Sequence, residues 1–251
     1  TASEKTVTKK PKGEQVLSVK NLSAPGFEKV SFELHKGEIL GIAGQLGSGR
    51  TELSLALSGL LPKTEGTIMV DGAEVEMKSV SEAQNLGIAL VPEDRLTEGL
   101  FLPQPIYKNI SVASLDRISG RAGILKNKDE KELSAKWVKE IGVATKDHTL
   151  PVSTLSGGNQ QKVVLAKCLA TSPKVLILNG PTVGVDIGAK YDIHRLLRTL
   201  AERGMAVLVV SDDVAEVTAL CDRAIIMNAG RMTGELDGSS LNNENLYEIT
   251  S

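Results

Sequence analysis

The stretch LSGGNQQKVVLAKCLA, residues 155–170, is the most informative part of this chain. Apolar residues recur at helical spacing after Ser156-Gly157-Gly158, so we expect a helix from about Gly158 to Ala170. The amino end of a helix carries unpaired backbone N–H groups and a partial positive charge. The stretch therefore predicts a helix whose first turn faces an anion.

The segment that follows, KVLILNGPTVGVD (residues 174–186), predicts a buried strand with polar residues at its tip. The apolar run from Val175 to Leu178 is closed by an Asn-Gly-Pro break, a pattern typical of a strand covered on both faces. In open α/β sheets, ligands gather beyond the carboxyl ends of such strands. Asn179 and Gly180 are therefore candidate site residues.

A second anion-binding loop is indicated by GQLGSGRT, residues 44–51, which lies between a predicted buried strand and an amphipathic helix. Glycines allow backbone N–H groups to turn inward around phosphate, and the helix amino end adds positive charge. Arg50 stands where the phosphate-loop pattern has lysine, and the Thr51 hydroxyl suits Mg²⁺. The alternative is a glycine-rich turn without a ligand. The candidate nucleotide-binding residues here are Gly44, Gly47, Ser48, Gly49, Arg50, Thr51 and Glu52.

Strands and helices alternate through much of the chain, which predicts an α/β protein with a largely parallel sheet covered by helices. Early alternating strands (VLSVKNL, VSFEL) indicate an antiparallel layer beside it. Residues from about 95 to 157 are rich in helix formers and predict a helical subdomain, with Trp137, Val138 and Ile141 on one helix face. Residues 1–15 are polar and lysine-rich, and we expect a flexible, disordered linker there, followed by a single domain over residues 16–251.

Composition excludes several other classes. The chain has a formal net charge of -2 and only 3% aromatic residues, which argues against a nucleic-acid binder. Cys168 and Cys221 are predicted to be buried thiols in a reducing cytoplasm. His35, His148 and His194 do not have the spacing of a structural metal site.

With these motifs in order, the sequence resembles the ATP-binding cassette (ABC) family from Val16 to about Leu236. The resemblance implies the P-loop NTPase fold of the ABC type, with ATP and Mg²⁺ as cofactors. In this family two cassettes pack head to tail. Each ATP lies between the phosphate loop of one cassette and the signature Leu-Ser-Gly-Gly of the other. The signature residues here are Leu155, Ser156, Gly157, Gly158, Asn159 and Gln160.

The resemblance also implies that the phosphate-loop half of this chain is degenerate. The family has Asp-Glu where this sequence has Asn179-Gly180, so only a weak Mg²⁺ site from Thr51 and Asn179 is expected, and glycine is unable to act as a base. Glu93 occupies the position of the family's glutamine, and Asp212 the position of its switch histidine. No convincing catalytic residue in cis is therefore predicted.

Two further residues are implied by the same resemblance. Asp186, in GVD, matches the loop that contacts the opposite cassette (the D-loop). Phe27, in APGF, matches an aromatic position that stacks on adenine, although packing of Phe27 beneath the first strands is an equal alternative.

GSGRTE, PEDR, LSGGNQQK and GVDIGAK together resemble the second cassette of importers for ribose, galactose, xylose and related solutes. The resemblance implies an ATPase domain that works with another cassette, expected in the amino-terminal half of the same polypeptide. It also implies a transmembrane permease and, indirectly, a solute-binding protein, without nucleic acid. We expect a peripheral location on the cytoplasmic face of the membrane. The alternatives are a non-transport ABC protein and an ATP-sensing module without turnover.

Overall fold

The computed structural model describes residues 13–119 and 125–250. Its centre is a six-stranded sheet in the order β10-β9-β3-β8-β7-β6, in which all pairs except β10-β9 are parallel. The strands of this sheet are β3 (Ile39–Ala43), β6 (Ile88–Val91), β7 (Val175–Asn179), β8 (Ala206–Ser211), β9 (Arg223–Asn228) and β10 (Arg231–Asp237). This arrangement agrees with the predicted, mostly parallel α/β fold.

Strand β7 is fully buried along its length, as its apolar run predicts. Alternate residues face opposite sides of a strand. Accordingly, Leu176 and Leu178 join the core beneath the helices, whereas Val175 and Ile177 join the core facing the second sheet. Burial on both faces leaves only the carboxyl end of the strand, with Asn179, available for chemistry.

The second sheet is antiparallel and has the order β2-β1-β4-β5. Its strands are β1 (Gln15–Ala24), β2 (Phe27–His35), β4 (Glu65–Val70) and β5 (Ala73–Val75). The second core, which includes residues of β1, β2, β3, β4, β7 and β8, fills the space between the two sheets. This sheet supplies the predicted antiparallel layer.

The helices fall into two groups. Helices α1 (Arg50–Leu57), α2 (Val80–Asn85), α6 (Gly157–Ala170), α7 (Ile187–Glu202), α8 (Val214–Leu220) and α9 (Asn243–Thr250) are interspersed with the strands. Between β6 and α6 the chain forms a π-helical turn (Arg95–Gly99) and helices α3 (Ile106–Ser111), α4 (Leu115–Ile118) and α5 (Asn127–Ile141). In α5, Ile141 is buried, and Trp137 and Val138 pack against the same core, as the helical spacing predicts. Among the described residues, no helix combines the length and apolarity needed to cross a membrane.

The predicted linker is too long at its end. Gln15 already belongs to β1 and pairs with His35, and the Glu14 carbonyl accepts a hydrogen bond from Lys36 N–H. Residues 1–12 lie outside the described part of the chain. The polar side chains of residues 13–15 do not indicate a strand, because Gln15 pairs through its backbone N–H and C=O groups.

Candidate phosphate-binding site

The loop from Gly44 to Gly49 joins β3 to α1 and depends on its glycines. A Cβ at Gly44 would lie 2.5 Å from both the Ser48 hydroxyl and the Met227 carbonyl oxygen. Gly47 and Gly49 have φ angles of 81° and 90°, a region that favours glycine. The backbone therefore takes the tight, left-handed path that a phosphate loop requires, and it ends at the amino end of α1.

Two buried polar atoms in this loop have no hydrogen-bond partner within the described chain. They are the Ser48 hydroxyl and the Arg50 Nε, and each of these two residues is 4% exposed. A buried donor without a partner costs free energy unless a ligand or water satisfies it. With the amino end of α1 beside them, these orphaned groups fit an anion such as a phosphate.

Arg50 makes contacts that the sequence motif does not reveal. Its Nη1 donates to the Gly44 carbonyl at 3.3 Å, and its Nη2 lies 3.2 Å from Oδ2 of Asp212. Asp212 directly follows β8, which pairs in parallel with β3 so that Ser211 stands opposite Ala43. Two positions that depart from the family pattern are therefore ion-paired to each other.

The groups available to a cation are few. Thr51 is half-buried in the first turn of α1, and Asn179 is buried at the tip of β7. Within the described ranges, His, Cys, Asp and Glu side chains form no cluster of three or more that would hold a metal ion. A hydroxyl and an amide oxygen suit Mg²⁺ only when phosphate oxygens and water complete its coordination.

Gly180 has a left-handed backbone, with φ of 55°. Its N–H donates to the Val210 carbonyl at 2.8 Å, and its own carbonyl accepts from Val183 N–H at 3.0 Å. A Cβ at this position would lie 2.8 Å from Val183 Cγ2 and 3.2 Å from Glu93 Cγ. The exposed Glu93 therefore faces the position where the family has its glutamate.

Arg95 was not singled out from the sequence, although it lies in the quoted VPEDR. Its two terminal nitrogens donate to the carbonyls of Val183 and Gly184 at 2.8 and 2.9 Å. A Cβ at Gly157 would lie 2.8 Å from Arg95 Nη2 and 3.3 Å from the Gly184 carbonyl. Arg95 thus ties the loop after β7 to the π-helical turn and lies close to Gly157 at the start of α6, where a larger residue would crowd its guanidinium.

The signature residues are arranged around the amino end of α6. Ser156 is exposed at the N-cap position, and its hydroxyl accepts a hydrogen bond from Asn159 Nδ2 at 3.0 Å. The Asn159 side chain also accepts from Ala144 N–H at 2.7 Å, and Gln160 donates to the Leu155 carbonyl at 3.2 Å. Gly158 is buried against α7, since a Cβ there would approach Ala189 Cβ to 2.4 Å. The result is an exposed serine on a firmly held helix start.

Asp186 is the N-cap of α7, and its carboxylate accepts from Ala189 N–H at 2.9 Å. This contact gives the residue a local role in helix capping. Its assignment to an inter-cassette contact remains a prediction. The residue is exposed, so capping leaves its outer face open to solvent.

The position of Phe27 favours packing over stacking on adenine. The ring is 4% exposed and belongs to the core between the two sheets. A side chain with so little exposed area has no free face for a base. Its Cβ lies 3.1 Å from the place a Gly49 Cβ would occupy, so Phe27 supports the loop from behind.

Glu216, also not identified from the sequence, forms a buried network behind the strand tips. It accepts from Thr182 Oγ1 at 2.5 Å and from Ser211 Oγ at 2.7 Å, and His194 Nε2 lies 3.4 Å away. Burial by itself would raise the pKa of Glu216. The hydrogen bonds from His194, Thr182 and Ser211 outweigh burial and hold that pKa below its ordinary value. The network joins the loop after β7 to the end of β8.

The two cysteines are buried thiols, as predicted. Burial raises the pKa of the Cys168 thiol to about 11 and also raises the pKa of Cys221. Neither is placed to act as a thiolate nucleophile.

Comparison with known proteins places these features in one family. A sequence model of the ABC transporter family matches residues 27–183. The ribose import ATP-binding protein RbsA 2 of Rhizobium meliloti (strain 1021) is 41% identical over 239 residues, covering 95% of this chain and 46% of the relative. The xylose import ATP-binding protein XylG of Yersinia pseudotuberculosis (serotype I, strain IP32953) is 40% identical over 245 residues, covering 94% and 48%. The chain thus spans about half the length of these relatives.

Solved structures share the fold. A nucleotide-free ATP-binding cassette from an ABC transporter superposes with a TM-score of 0.80 at 19% identity, covering 94% of each chain. The cbiO1 protein of Clostridium perfringens superposes with a TM-score of 0.74 at 23% identity, covering 88% of each. The family model matched by residues 27–183 and the relatives at about 40% identity together show that the chain belongs to the ABC transporter family.

Proposed function

We propose that this chain is a nucleotide-binding domain that energises the uptake of a simple sugar or a related solute by an ABC importer. The observation that carries the proposal is the phosphate loop with the start of α1, where Ser48 and Arg50 hold buried polar atoms that no other described residue satisfies. The names of the relatives, which are ribose and xylose import ATP-binding proteins, support the class of solute.

The proposed ligand is ATP with Mg²⁺. Backbone N–H groups of Gly47 to Thr51 and the Arg50 guanidinium would receive the phosphates, and the Thr51 hydroxyl and Asn179 amide would reach the cation. Mg²⁺, when bound, would neutralise charge on the phosphate oxygens. Asn179 lacks the negative charge that a hard cation prefers, so cation binding at this half-site is weak.

The same half-site is proposed to hydrolyse ATP slowly or not at all. Gly180 has no side chain to polarise water, and Glu93 places a carboxylate beside it. Loss of a positioned general base typically lowers a rate by ~10²–10⁴. Asp212, which is proposed to occupy the switch position, is ion-paired with Arg50, and in its ionised form it accepts hydrogen bonds but has no proton to donate.

We further propose that the signature completes the ATP site of a partner cassette. Ser156 is exposed at the start of α6, where backbone N–H groups and the helix dipole favour phosphate. Three apolar side chains in the phosphate loop and in α7 are largely exposed to solvent: Leu46 (90%), Ile187 (76%) and Tyr191 (70%). A partner that covers them would gain hydrophobic free energy. A bacterial ABC cassette of the same fold has been solved as a dimer.

The permease is proposed to dock on the segment between Glu93 and Tyr107. Leu96 and Phe101 are exposed apolar residues there, 46% and 58% respectively, on the π-helical turn and the stretch before α3. Docking on a permease would place the domain on the cytoplasmic face of the membrane as a peripheral protein.

The test is to measure ATP binding and ATP hydrolysis by the purified chain alone. We expect binding in the presence of Mg²⁺ that is weak, together with turnover close to background. The control is Arg50→Ala, which removes the buried guanidinium and is expected to weaken binding further. Robust turnover by the unmodified chain would contradict the degenerate half-site, and complete absence of binding would contradict the proposed nucleotide site.

A second candidate is a nucleotide-sensing module that binds ATP without turnover. The left-handed Gly180 favours it, because a glutamate at the tip of β7 would be strained in its backbone and crowded by the side chains of Val183 and Glu93. Hydrolysis separates the two candidates when the partner cassette and permease are present. A sensing module would change transport without needing Ser156, whereas a half-site that completes the partner requires it.

A further inference from the structure

The ion pair between Arg50 and Asp212 has a consequence for ligand binding at the phosphate loop. The Arg50 side chain is 5% exposed and its position is fixed by the Gly44 carbonyl, whereas the Asp212 side chain is 57% exposed. The guanidinium is therefore the immobile partner, and the carboxylate is the partner that water reaches.

We propose that Asp212 determines affinity by competing with nucleotide phosphate for Arg50. This inference deepens the proposed function and rests on it. Arg50 lies in the loop that would bind the phosphates, and a guanidinium binds carboxylate and phosphate oxygens through the same N–H groups. A phosphate that reaches Arg50 must displace the carboxylate or share the guanidinium with it. Sharing places two anions side by side, which is unfavourable.

Moving the Asp212 carboxylate out of the ion pair costs little free energy, whereas moving the Arg50 guanidinium costs much more. A carboxylate that leaves an ion pair at an exposed site regains hydration. Arg50 would carry an unpaired charge inside the protein, and its Nε already lacks a partner among the described residues. The loop is therefore built to exchange its anion at a fixed guanidinium. Because exposed ion pairs are weak, we expect the competition to lower phosphate affinity by about three- to tenfold.

The experiment is isothermal titration calorimetry of the full chain with ATP and, separately, with inorganic tripolyphosphate. Asp212→Asn removes the charge and keeps the shape, and we expect it to tighten binding of both ligands by about three- to tenfold. Asp212→Glu retains the carboxylate and should bind close to the unmodified chain. Glu74→Gln, on the edge strand β5, makes the same change in net charge away from the loop and should leave both affinities unaltered.

Glu93→Gln is the control for simple charge repulsion. Glu93 lies at the same edge of the sheet, against Gly180, and its carboxylate is not among the ion pairs found in the described chain. We expect a smaller gain from Glu93→Gln than from Asp212→Asn. An equal gain would show that any carboxylate at this edge weakens binding, and it would overturn the role of the Arg50 pair.

The remaining outcomes separate this inference from the proposed function. If ATP binds the unmodified chain and Asp212→Asn binds it equally or more weakly, the competition is refuted while the nucleotide site stands. If neither protein binds ATP or tripolyphosphate, the nucleotide site and the competition are both refuted. Thermal unfolding of each variant, followed by circular dichroism, establishes that the titrated protein is folded.

Discussion

Gly180, which stands where the family is expected to have its catalytic glutamate, has a left-handed backbone conformation. The strand before it ends normally at Asn179, but the φ angle of 55° at Gly180 directs the chain into a turn closed by Val183. A glutamate here would meet both the Val183 side chain and Glu93. Restoration of the family's residue is thus a question of backbone strain as well as of chemistry.

We predict that Gly180→Glu lowers the free energy of unfolding by about 1–2 kcal/mol, the usual cost of a left-handed conformation for a residue with a Cβ. Asn179→Asp alone should be tolerated, and the double variant Asn179→Asp/Gly180→Glu should show little hydrolysis. Urea denaturation and an ATPase assay measure the two effects. Gly180→Ala is the matched control, because it introduces the strain without a charge facing Glu93. Strong hydrolysis by the double variant at unchanged stability would mean that the turn relaxes and that the remaining pocket is sound.

The sequence indicated candidate residues for the site, but not how they interact with one another. Gly180 could be identified as the loss of a base, whereas its left-handed φ depends on the hydrogen bond to Val210. Arg50 and Asp212 were each noted as departures, yet their ion pair follows from the pairing of β3 with β8, which brings distant parts of the chain together. Long-range contacts of this kind leave no local signal in a sequence.

Among the helices and strands, the parts with strong periodicity were predicted most reliably. The helix α6 begins at Gly157, one residue before the expected start, and β7 lies on its apolar run. The π-helical turn at Arg95–Gly99 was not anticipated. It is set by Asp94, whose carboxylate accepts from Leu96 and Thr97 N–H groups, and by the clamp that Arg95 forms on the loop after β7. A turn that depends on side-chain capping of this kind leaves little signal in the amino-acid composition.

Glu216 connects elements that would have to move together if nucleotide binding were communicated across the domain. It lies in α8, receives a hydrogen bond from Ser211 at the end of β8, and receives another from Thr182 in the loop that leads to Asp186. The carboxylate is charged in a buried position, so its neighbours are fixed by their need to satisfy it. The end of β8 and the loop before Asp186 are thereby held by one side chain.

We predict that Glu216 makes the stability of the domain depend on pH in the acid range. Its pKa is held below the ordinary value of 4.5, so the folded state binds its proton less readily than the unfolded chain does. The stabilisation is therefore complete above pH 4.5 and is lost as the pH falls through the lowered folded pKa. Glu216→Gln should abolish this part of the acid destabilisation and lower stability at neutral pH by about 1.5–3 kcal/mol.

Urea titrations between pH 7 and pH 3 measure the difference. Asp192→Asn is a suitable control. Lys162 and Arg195 also lower the pKa of Asp192. Its carboxylate, however, lies at the surface and outside the Glu216 network. A Glu216→Gln curve that runs parallel to that of the unmodified chain down to pH 3 would contradict the prediction.

Taken as a whole, the molecule presents two helix starts that we propose bind anions, and the contacts that support them differ. The phosphate loop at α1 is opposed by carboxylates, since Asp212 pairs with Arg50 and Glu93 faces Gly180. The signature at α6 is supported by Arg95, Ala189 and Asn159 and leaves Ser156 exposed. If two cassettes share their ATP sites, damage to these two helix starts should have unequal consequences for the complex.

We therefore predict that Ser156→Arg impairs an assembled transporter more than Arg50→Ala does. A long cation at the exposed N-cap of α6 would obstruct the phosphate of the partner's nucleotide, whereas Arg50 serves a half-site that already lacks a base. We expect a loss of solute uptake of at least about a hundredfold for Ser156→Arg, the lower end of the effect of removing a positioned catalytic group, and a clearly smaller loss for Arg50→Ala. The control is Thr154→Arg, which places the same side chain at an exposed position just before the signature. Uptake and ATP hydrolysis by the complete complex in membrane vesicles provide the measurement. Greater damage from Arg50→Ala would mean that the phosphate loop of this chain, rather than that of its partner, carries the working site.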